Sequence, residues 1–262
     1  MRVLEDTRLE RFEETKMLKE IVLDAAVRLG IDDQLRSVCT PLFSGLRRDR
    51  IDNQNLRLLM AFALTEDSNC IDIGAHKGAV LAEMLRVAPY GKHIAYEPLP
   101  FLHKYLVDHF PSVDVRLAAV SNEEGVTSFT YVKNLPTNSG FRERSYPVQP
   151  RIEKIAVRTE TLDGSLPAGY IPALIKIDVE GAERLVIEGA IETISRYKPI
   201  VVFEFGRGCS DHYGTQPCHI YELLHDKARL RIFDMDGNGP YTLGQFEETY
   251  AQGNRWNFVA RP

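Results

Sequence analysis

Residues 70–85 read CIDIGAHKGAVLAEML, and this stretch decides the fold. A short apolar segment ends at Asp72 and Gly74, and Gly78 then opens an amphipathic segment, which predicts a tight turn from a β-strand into an α-helix. In doubly wound α/β sheets a ligand binds at the carboxyl ends of the strands, and the first such turn approaches it most closely. Glycines let the backbone come near that ligand, and N–H groups at the helix start face its polar end.

The second predicted strand ends in an acidic residue. Residues 94–100 read IAYEPLP, so Glu97 lies 19 residues beyond Gly78. A carboxylate there accepts hydrogen bonds from both ribose hydroxyls of an adenosine group, although an acid also suits the start of the following helix. The third glycine of the dinucleotide fingerprint and the lysine–serine/threonine pair of a phosphate loop are absent. The pattern therefore favours an adenosine-binding site and disfavours NAD enzymes and nucleoside triphosphatases.

Downstream of residue 67 short apolar segments alternate with helical ones, which predicts βαβ units and a doubly wound, mostly parallel sheet. The predicted strands are residues 70–74, 93–96, 113–118, 174–178, 200–205 and 230–234, and the predicted helices are residues 79–87, 102–109, 182–196 and 218–226. A last strand, residues 256–260, is predicted to be antiparallel because too little chain precedes it for a crossover helix of normal length. Two further strands are predicted at residues 126–132 and 154–159.

The N-terminal part reads differently. Apolar residues recur at helical spacing in residues 3–29 and again in residues 53–64, which predicts two amphipathic helices. We therefore divide the chain into an N-terminal helical cap, residues 1–66, and an α/β domain, residues 67–262. Packing of the cap against the sheet is favoured over a lid or a dimer surface, and a homodimer through these helices stays open.

The composition of the chain limits its expected binding partners and its expected location in the cell. Of 262 residues, 32 are Lys or Arg and 37 are Asp or Glu, for a formal net charge of -5. This balance gives no general attraction to nucleic acid or to an anionic membrane. The charged first residues lack the apolar segment of a signal peptide, no apolar run is long enough to cross a bilayer, and the four cysteines form no CxxC pair. We expect a cytoplasmic protein with reduced cysteines.

A third pattern, residues 174–190, reads LIKIDVEGAERLVIEGA. Asp178 ends the fourth predicted strand and Glu204 ends the fifth, so both carboxylates are expected at the ligand-binding edge, whereas Glu183 is expected to be a helix-start charge. A carboxylate at the end of an apolar strand needs a partner or a function. His212 follows in a glycine-rich loop that faces the same edge, and it is either a general base or a surface histidine.

Two metal-binding sites are alternatives to a metal-free site. Asp178 and Glu204 have the hard oxygen ligands that suit Mg²⁺, but clustered strand-end carboxylates also act without a metal, so a divalent ion is the less favoured alternative. The potential zinc ligands Cys209, His212, Cys218 and His219 match no standard spacing. We assign no metal-binding residue.

Residues 133–151 form a long predicted loop with three prolines, two aromatic residues, and Arg142, Arg144 and Arg151. A loop of this length in a compact domain is usually functional or mobile. A substrate lid and a solvated excursion are both open, and the arginines suggest an acceptor that carries negative charge.

Four motifs, IDIGAHKG, YEP, AAVSNEEG and IKIDVEGAE, occur in order between residues 71 and 205, and on these the sequence resembles the FkbM family of methyltransferases. The resemblance implies a seven-stranded Rossmann-like fold and S-adenosylmethionine as the cofactor. By position it implies that Asp72, Gly74 and Gly78 line the methionine half of the cofactor. It implies further that Glu97 holds the ribose and that Val120 and Ser121 lie beside the adenine.

Many family members carry an asparagine where this chain has His76. We include His76 and Asp178 among the cofactor-binding residues, and the asparagine leaves open whether His76 touches cofactor, substrate or neither. The catalytic candidates are Asp178, Glu204 and His212, because a hydroxyl acceptor must lose a proton to a base or a metal.

The resemblance implies O-methylation of a sugar, a glycolipid or a polyketide-type natural product, so the expected partner is a small-molecule or glycan acceptor. Two other functions stay open: a non-catalytic module that binds an adenosine cofactor and, less favoured, an NAD-type oxidoreductase.

Overall fold

A computed structural model describes residues 44–144, 146 and 149–262. The predicted helix at residues 3–29, and any dimer contact through it, lie outside the described residues. The helices are α1 (Ser44–Ala63), α2 (Ala79–Val87), α3 (Pro100–His109), α4 (Leu162–Ser165), α5 (Glu183–Glu188), α6 (Ile191–Tyr197), α7 (Pro217–Tyr221) and α8 (Leu243–Gln252). The strands are β1 (Asn69–Ile73), β2 (Ile94–Tyr96), β3 (Asp114–Arg116), β4 (Ala119–Val120), β5 (Gly125–Val132), β6 (Ile152–Glu160), β7 (Pro172–Ile177), β8 (Ile200–Glu204), β9 (Arg231–Asp234) and β10 (Asn257–Arg261).

Seven strands form the main sheet in the order β3-β2-β1-β7-β8-β10-β9. Strands β3, β2, β1, β7 and β8 pair in parallel, and β10 is antiparallel to both of its neighbours. The chain starts at β1 in the middle, runs outward to β3 and then crosses to β7, so the order reverses between β1 and β7. This confirms the predicted doubly wound, seven-stranded, mostly parallel sheet, and ligands bind such sheets at that reversal.

Side chains alternate along each strand and so separate two cores. Ile71 and Ile73 of β1 pack into the larger cluster, with Val186 of α5 and Phe258 of β10. Cys70, from the other face of β1, packs with residues of α1 and α2. Both faces of the sheet are therefore covered, as a parallel sheet requires.

Leu56 and Met60 of helix α1, and Leu64 just after it, pack on the sheet. The helix already includes Ser44, where the described residues begin, so it extends further toward the N-terminus than the start predicted at residue 53. Arg48 pairs with Asp52 at 2.5 Å and with Asp236, after β9, at 2.7 Å. The predicted boundary between residues 66 and 67 stays a prediction.

The region predicted as one helix at residues 182–196 is two helices, α5 and α6. They meet at Gly189, where a β-carbon would lie 2.0 Å from the carbonyl oxygen of Ser121. This close approach of two backbones requires glycine and interrupts the helix. The predicted strand at residues 113–118 is also shorter, because the chain leaves the main sheet after Arg116 and enters the small sheet β4-β6-β5.

The last strand, β10, is antiparallel as predicted, although the segment between β9 and β10 contains the 10-residue helix α8, so the premise that too little chain remains there for a crossover helix was wrong. The side chain of Thr242 accepts a hydrogen bond from the Gln245 backbone, the Gln245 side chain reaches back to the Thr242 backbone, and Gly253 ends the helix in a left-handed conformation. Thr-x-x-Gln is the pattern of a capping box, so the sequence did carry a signal for this helix. None of the helices in the described ranges combines the length and apolar character of a membrane span.

The capping box gives a stability prediction. Thr242→Ala removes the side-chain acceptor and should lower the free energy of unfolding by about 1 kcal/mol, as loss of a helix cap typically does. Chemical denaturation measures this. The exposed Glu247 in the middle of the same helix supplies the control, since Glu247→Ala should change stability by less than about 0.5 kcal/mol. Equal effects of both substitutions would contradict the capping role.

Candidate active site

A cleft opens at the carboxyl ends of β1, β2 and β7, where the strand order reverses. Its cavity volume is about 230 Å³, and about 860 Å³ is free of protein atoms when the open space at its mouth is included. Five of the predicted site residues line it: Gly74, His76, Glu97, Val120 and Asp178. Asp72, Gly78, Ser121, Glu204 and His212 are not part of that lining, and Asp72 and Ser121 are buried beside it.

The first turn is held tightly against the end of β7. The Asp178 N–H donates to the Ile73 carbonyl at 3.0 Å, and a β-carbon on Gly74 would lie 1.9 Å from the Asp178 carbonyl oxygen. Gly74 and Gly78 both have positive φ angles, of 84° and 74°. Only glycine satisfies both requirements at position 74, because any other residue would collide with the neighbouring backbone.

Glu97 lies at the end of β2 and is only 4% exposed. Its two carboxylate oxygens accept hydrogen bonds from the backbone N–H groups of Leu99 and His76, each at 2.9 Å. Burial raises the pKa of Glu97 to about 7, against the opposing effect of these two bonds. Each oxygen retains acceptor capacity on the cleft side, which fits the two hydroxyls of a ribose.

Apolar side chains form the wall beyond Glu97. Leu99, Leu102 and Val120 line it, together with Phe129 and Phe141, whose rings meet edge to face at 5.6 Å. This wall is contributed by α3 and the residue before it, by the small sheet and by the loop that carries Phe141. An apolar slot beside a carboxylate that could hold a ribose could hold an adenine ring.

Four ionisable residues share one face of the sheet below the cleft. Asp72 and Lys176 are direct neighbours across β1 and β7. The Lys176 ammonium lies 3.1 Å from Asp178 and is itself 5% exposed. The carboxyl of Glu204 hydrogen-bonds to Asp178, so the two predicted strand-end carboxyls are in contact.

The charges of this cluster are unequally distributed. Burial opposes ionisation of Asp178, but the Lys176 ammonium and the hydrogen bond from Glu204 outweigh it and lower its pKa. Burial and the Asp178 charge raise the pKa of Glu204 well above its ordinary value, and burial raises that of Asp72 to about 7. Asp178 is thus the ionised carboxylate of the cluster, and Glu204 is its protonated donor.

The turn after β7 is strained and internally braced. Glu180 and Gly181 have positive φ angles of 60° and 103°. The Glu183 carboxylate accepts hydrogen bonds from the Val179 and Gly181 N–H groups at 3.3 and 3.0 Å. Glu183 lies in the first turn of α5, as predicted for a helix-start acid, and because it is only 2% exposed it also braces the turn from a buried position.

The loop at residues 133–151 forms part of the cleft wall through Pro136, Thr137, Ser139 and Phe141. Arg144 fastens it, because its guanidinium pairs with Glu180 at 2.6 Å. The charge of Arg144 is therefore compensated within the protein. This arrangement differs from a solvated excursion.

Comparison with known proteins now places the chain. A family model described as the methyltransferase FkbM domain matches residues 72–229, more than half of its length. The chain belongs to the FkbM methyltransferase family. No significant match is found among curated proteins. With its seven-stranded sheet, the protein has the fold of S-adenosylmethionine-dependent methyltransferases.

Several solved methyltransferase structures of low identity match the chain, each with a TM-score below 0.5. The methyltransferase FkbM from Methylobacillus flagellatus KT is 14% identical, with a TM-score of 0.47 over 76% of this chain and 44% of that one. The plantazolicin methyltransferase BpumL, solved with SAH, is 11% identical, with a TM-score of 0.45 over 97% and 96%. A TehB-like SAM-dependent methyltransferase from Corynebacterium glutamicum ATCC 13032 Kitasato is 14% identical, with a TM-score of 0.42 over 84% and 97%. This chain spans less than half of the Methylobacillus protein.

In this FkbM-family chain His212 lies on a short 3₁₀ helix, Ser210–Tyr213, outside the cleft lining. Its carbonyl accepts a hydrogen bond from Arg142 at 2.9 Å. Within the described ranges no group of three or more His, Cys, Asp or Glu side chains is arranged to hold a metal ion. The Mg²⁺ alternative at Asp178 and Glu204 and the zinc alternative therefore have no support there.

Sequence reasoning missed two features of this methyltransferase site. Lys176 was overlooked, although a lone lysine inside the apolar strand LIKI requires a buried partner. Phe129 and Phe141 were seen only as parts of a strand and a loop, and no local signal places them over the cleft. The pairing of β5 with β6 positions Phe129, and the bridge between Thr130 and Gly140 brings the neighbouring Phe141 beside it.

The raised carboxyl pKa values predict a pH-dependent stability. Asp72, Glu97 and Glu183 have pKa values of about 7, against ordinary values of 3.8 or 4.5. The folded state binds more protons in this window, so the free energy of unfolding should fall as the pH rises from about 5 to 8. Glu97→Gln removes one titrating group and should reduce that loss by roughly 1–3 kcal/mol.

Urea denaturation of the ligand-free protein at several pH values tests this. The exposed Glu123 provides the control, since Glu123→Gln should leave the slope of stability against pH unchanged. A Glu97→Gln slope equal to that of the parent protein would contradict the assignment.

Proposed function

We propose that this protein transfers a methyl group from S-adenosylmethionine to a hydroxyl oxygen of a small-molecule or glycan acceptor. The observation that carries the proposal is the position of Asp178, which lines the same cleft as Glu97 and pairs with Lys176 at 3.1 Å. A proton-accepting carboxylate beside a donor site suits a hydroxyl, because a hydroxyl must lose its proton as it is methylated.

The cleft residues fit the donor in three parts. Glu97 would hold the ribose, the wall around Val120 and Phe129 would cover the adenine, and the backbone of the turn at Gly74 would approach the methionine half. When bound, S-adenosylmethionine supplies an activated methyl group on a sulfonium. The chain's own task is then to align the acceptor oxygen and to remove its proton.

Asp178 is positioned for the second task. Its side chain is 40% exposed, while Lys176 and Glu204 fix it from below. A carboxylate fixed in this way stabilises positive charge or accepts a proton at a defined point. We propose that it assists deprotonation of the acceptor, with Glu204 as its hydrogen-bond donor.

The acceptor class proposed is a hydroxyl of a sugar, a glycolipid or a polyketide-type natural product, and the proposed location is the cytoplasm. The test incubates the protein and methyl-labelled donor with a panel of methyl glycosides, glycolipids and polyketide lactones, each matched with an amine analogue. Label on oxygen supports the proposal. Label on the amine analogues alone would contradict it.

A non-catalytic module that binds an adenosine cofactor is the alternative function. The braced Asp178 argues against it, because a binding module has no need for an ionised carboxylate fixed by a buried lysine. Calorimetry with S-adenosylhomocysteine and with NAD distinguishes the methyltransferase from the oxidoreductase alternative, because only the oxidoreductase is expected to bind NAD.

Glu97→Ala tests the donor site. Loss of the carboxylate removes the proposed partner of both ribose hydroxyls and should weaken S-adenosylhomocysteine binding by ~1–3 kcal/mol, measured by calorimetry. Glu160 is a matched control, since it is also buried but faces Arg116 and Arg158. Equal affinities of parent protein and Glu97→Ala would remove Glu97 from the donor site.

Asp178→Asn tests the chemistry. The substitution keeps the shape and removes the charge, so turnover should fall by ~10²–10⁴ while S-adenosylhomocysteine affinity changes little. A marked loss of affinity would instead mean that Asp178 holds the donor's ammonium group. The exposed Asp108, on α3, provides the control Asp108→Asn. Turnover near the parent rate in Asp178→Asn would make the residue structural.

A further inference from the structure

We propose that His76 is a catalytic residue of this protein: its imidazole accepts the proton of the acceptor hydroxyl, and Asp178 is its charged partner. This inference rests on the proposed O-methyl transfer and names the group that carries out its deprotonation step. His76 was grouped above with the cofactor-binding residues, and the proposal gives it a catalytic role instead.

His76 lies in the first turn with a left-handed backbone, φ 50°. Its N–H donates to Glu97, so the residue is anchored at its backbone and its side chain is half-buried in the cleft lining. A left-handed conformation is uncommon for residues other than glycine and tends to mark a functional constraint. The turn thus presents an imidazole next to the proposed ribose carboxylate.

Asp178 faces the same space from the neighbouring strand end. The two turns are joined by the bond from the Asp178 N–H to the Ile73 carbonyl, and Gly74 leaves no side chain between them. The charges of His76 and Asp178 act on each other. Because Lys176 holds Asp178 from below at 3.1 Å, the carboxylate keeps its charge and its orientation when the imidazole changes protonation state.

Several other charged groups surround the imidazole. Lys77 is next in the chain, Glu97 binds its backbone, and Glu180 lines the same cleft but is paired with Arg144. Asp72, Lys176 and Glu204 lie below. Burial, and then Lys77, lower the pKa of His76 below its ordinary value, and Asp178 opposes them. The ring is therefore neutral near pH 7 and can accept a proton.

His76 suits this role better than Asp178 does alone. A base works best when its pKa is close to the working pH, and Asp178 is held below the ordinary range of a carboxyl. Asp178 is well suited to stabilise the imidazolium that forms, because opposite charges attract strongly in a partly buried site.

The step balances as follows. The acceptor O–H bond breaks and its proton goes to His76, while an oxygen electron pair forms the new O–C bond to the donor's methyl group. The C–S bond breaks and leaves its electron pair on sulfur, which becomes a neutral thioether. The imidazolium then returns its proton to solvent.

The first test needs no acceptor. NMR titration of the ligand-free full chain follows the His76 ring, whose signals are identified by their loss in His76→Asn. In Asp178→Asn the titration midpoint should move to lower pH, because the opposing negative charge is gone. In Glu204→Gln, which keeps Asp178 and its hydrogen-bond donor, the midpoint should stay near that of the parent protein. An unchanged midpoint in Asp178→Asn would overturn the pairing.

The second test uses the best hydroxyl compound of the acceptor panel. His76→Asn, which tolerates the left-handed backbone, should lower kcat by ~10²–10⁴ and remove the acid limb of the pH profile of kcat/KM. Its S-adenosylhomocysteine affinity should stay within about threefold of the parent value. His76→Gly should regain activity with added imidazole. The control is His225→Asn, because His225 also contacts an aspartate, Asp226, but outside the cleft lining.

The outcomes separate this inference from the proposed function. Full turnover in His76→Asn, or a loss of donor affinity with kcat preserved at saturating donor, would overturn the role of His76 and leave O-methylation standing. If the parent protein formed only products methylated on nitrogen, O-methylation would be overturned. The NMR titration would still decide whether His76 and Asp178 are paired.

Discussion

The contact between the ends of β1 and β7 is the constraint on which the site depends. The Asp178 N–H donates to the Ile73 carbonyl, and the Asp178 carbonyl occupies the space that a side chain on residue 74 would need. Two turns that are distant in sequence therefore lie backbone to backbone. The first contributes His76 and orients Glu97 through a backbone hydrogen bond, and the second contributes Asp178. A larger residue at position 74 would push the two turns apart. It would therefore disturb the proposed donor side and the proposed acceptor side at the same time.

Burial of charge is the second requirement. Asp72, Lys176, Asp178 and Glu204 lie on one face of the sheet, and isolated charges there would be costly. Two interactions lower this cost. Lys176 pairs with Asp178, and Glu204, whose pKa is raised, keeps its proton and donates it in a hydrogen bond to Asp178. The result is a single carboxylate of fixed charge at the cleft floor. A buried pair of this kind is weak support for stability, and its persistence here is better explained by the chemistry at its exposed end.

The sequence predicted best what depends on local pattern. Helix α2 was predicted with the bounds it has, since its apolar spacing and its opening Gly78 are local signals. Helix α8 was missed in spite of its capping box, because the prediction rested on the short length of chain between the last two strands. The part of α1 before residue 53 was not predicted from periodicity, since its Arg48 pairs with Asp52 and with Asp236, which is distant in sequence. Glu97 and Asp178 were placed correctly at strand ends. Their relation to His76 and Lys176 depends on strand register, which no single segment encodes.

The loop at residues 133–151 adds a consequence for the acceptor side. Arg144 joins it to Glu180, in the turn that follows Asp178, and Phe141 joins it to the wall of the cleft. The loop thus touches both the proposed adenine slot and the turn that carries the proposed catalytic carboxylate. Because Glu180 is held in a left-handed conformation, its ion pair with Arg144 also helps to fix a strained turn. The wall of the proposed adenine slot and the turn that carries the proposed catalytic carboxylate are therefore held by the same ion pair, Arg144–Glu180. Substitutions at Arg144 and at Asp178 should for this reason not act additively.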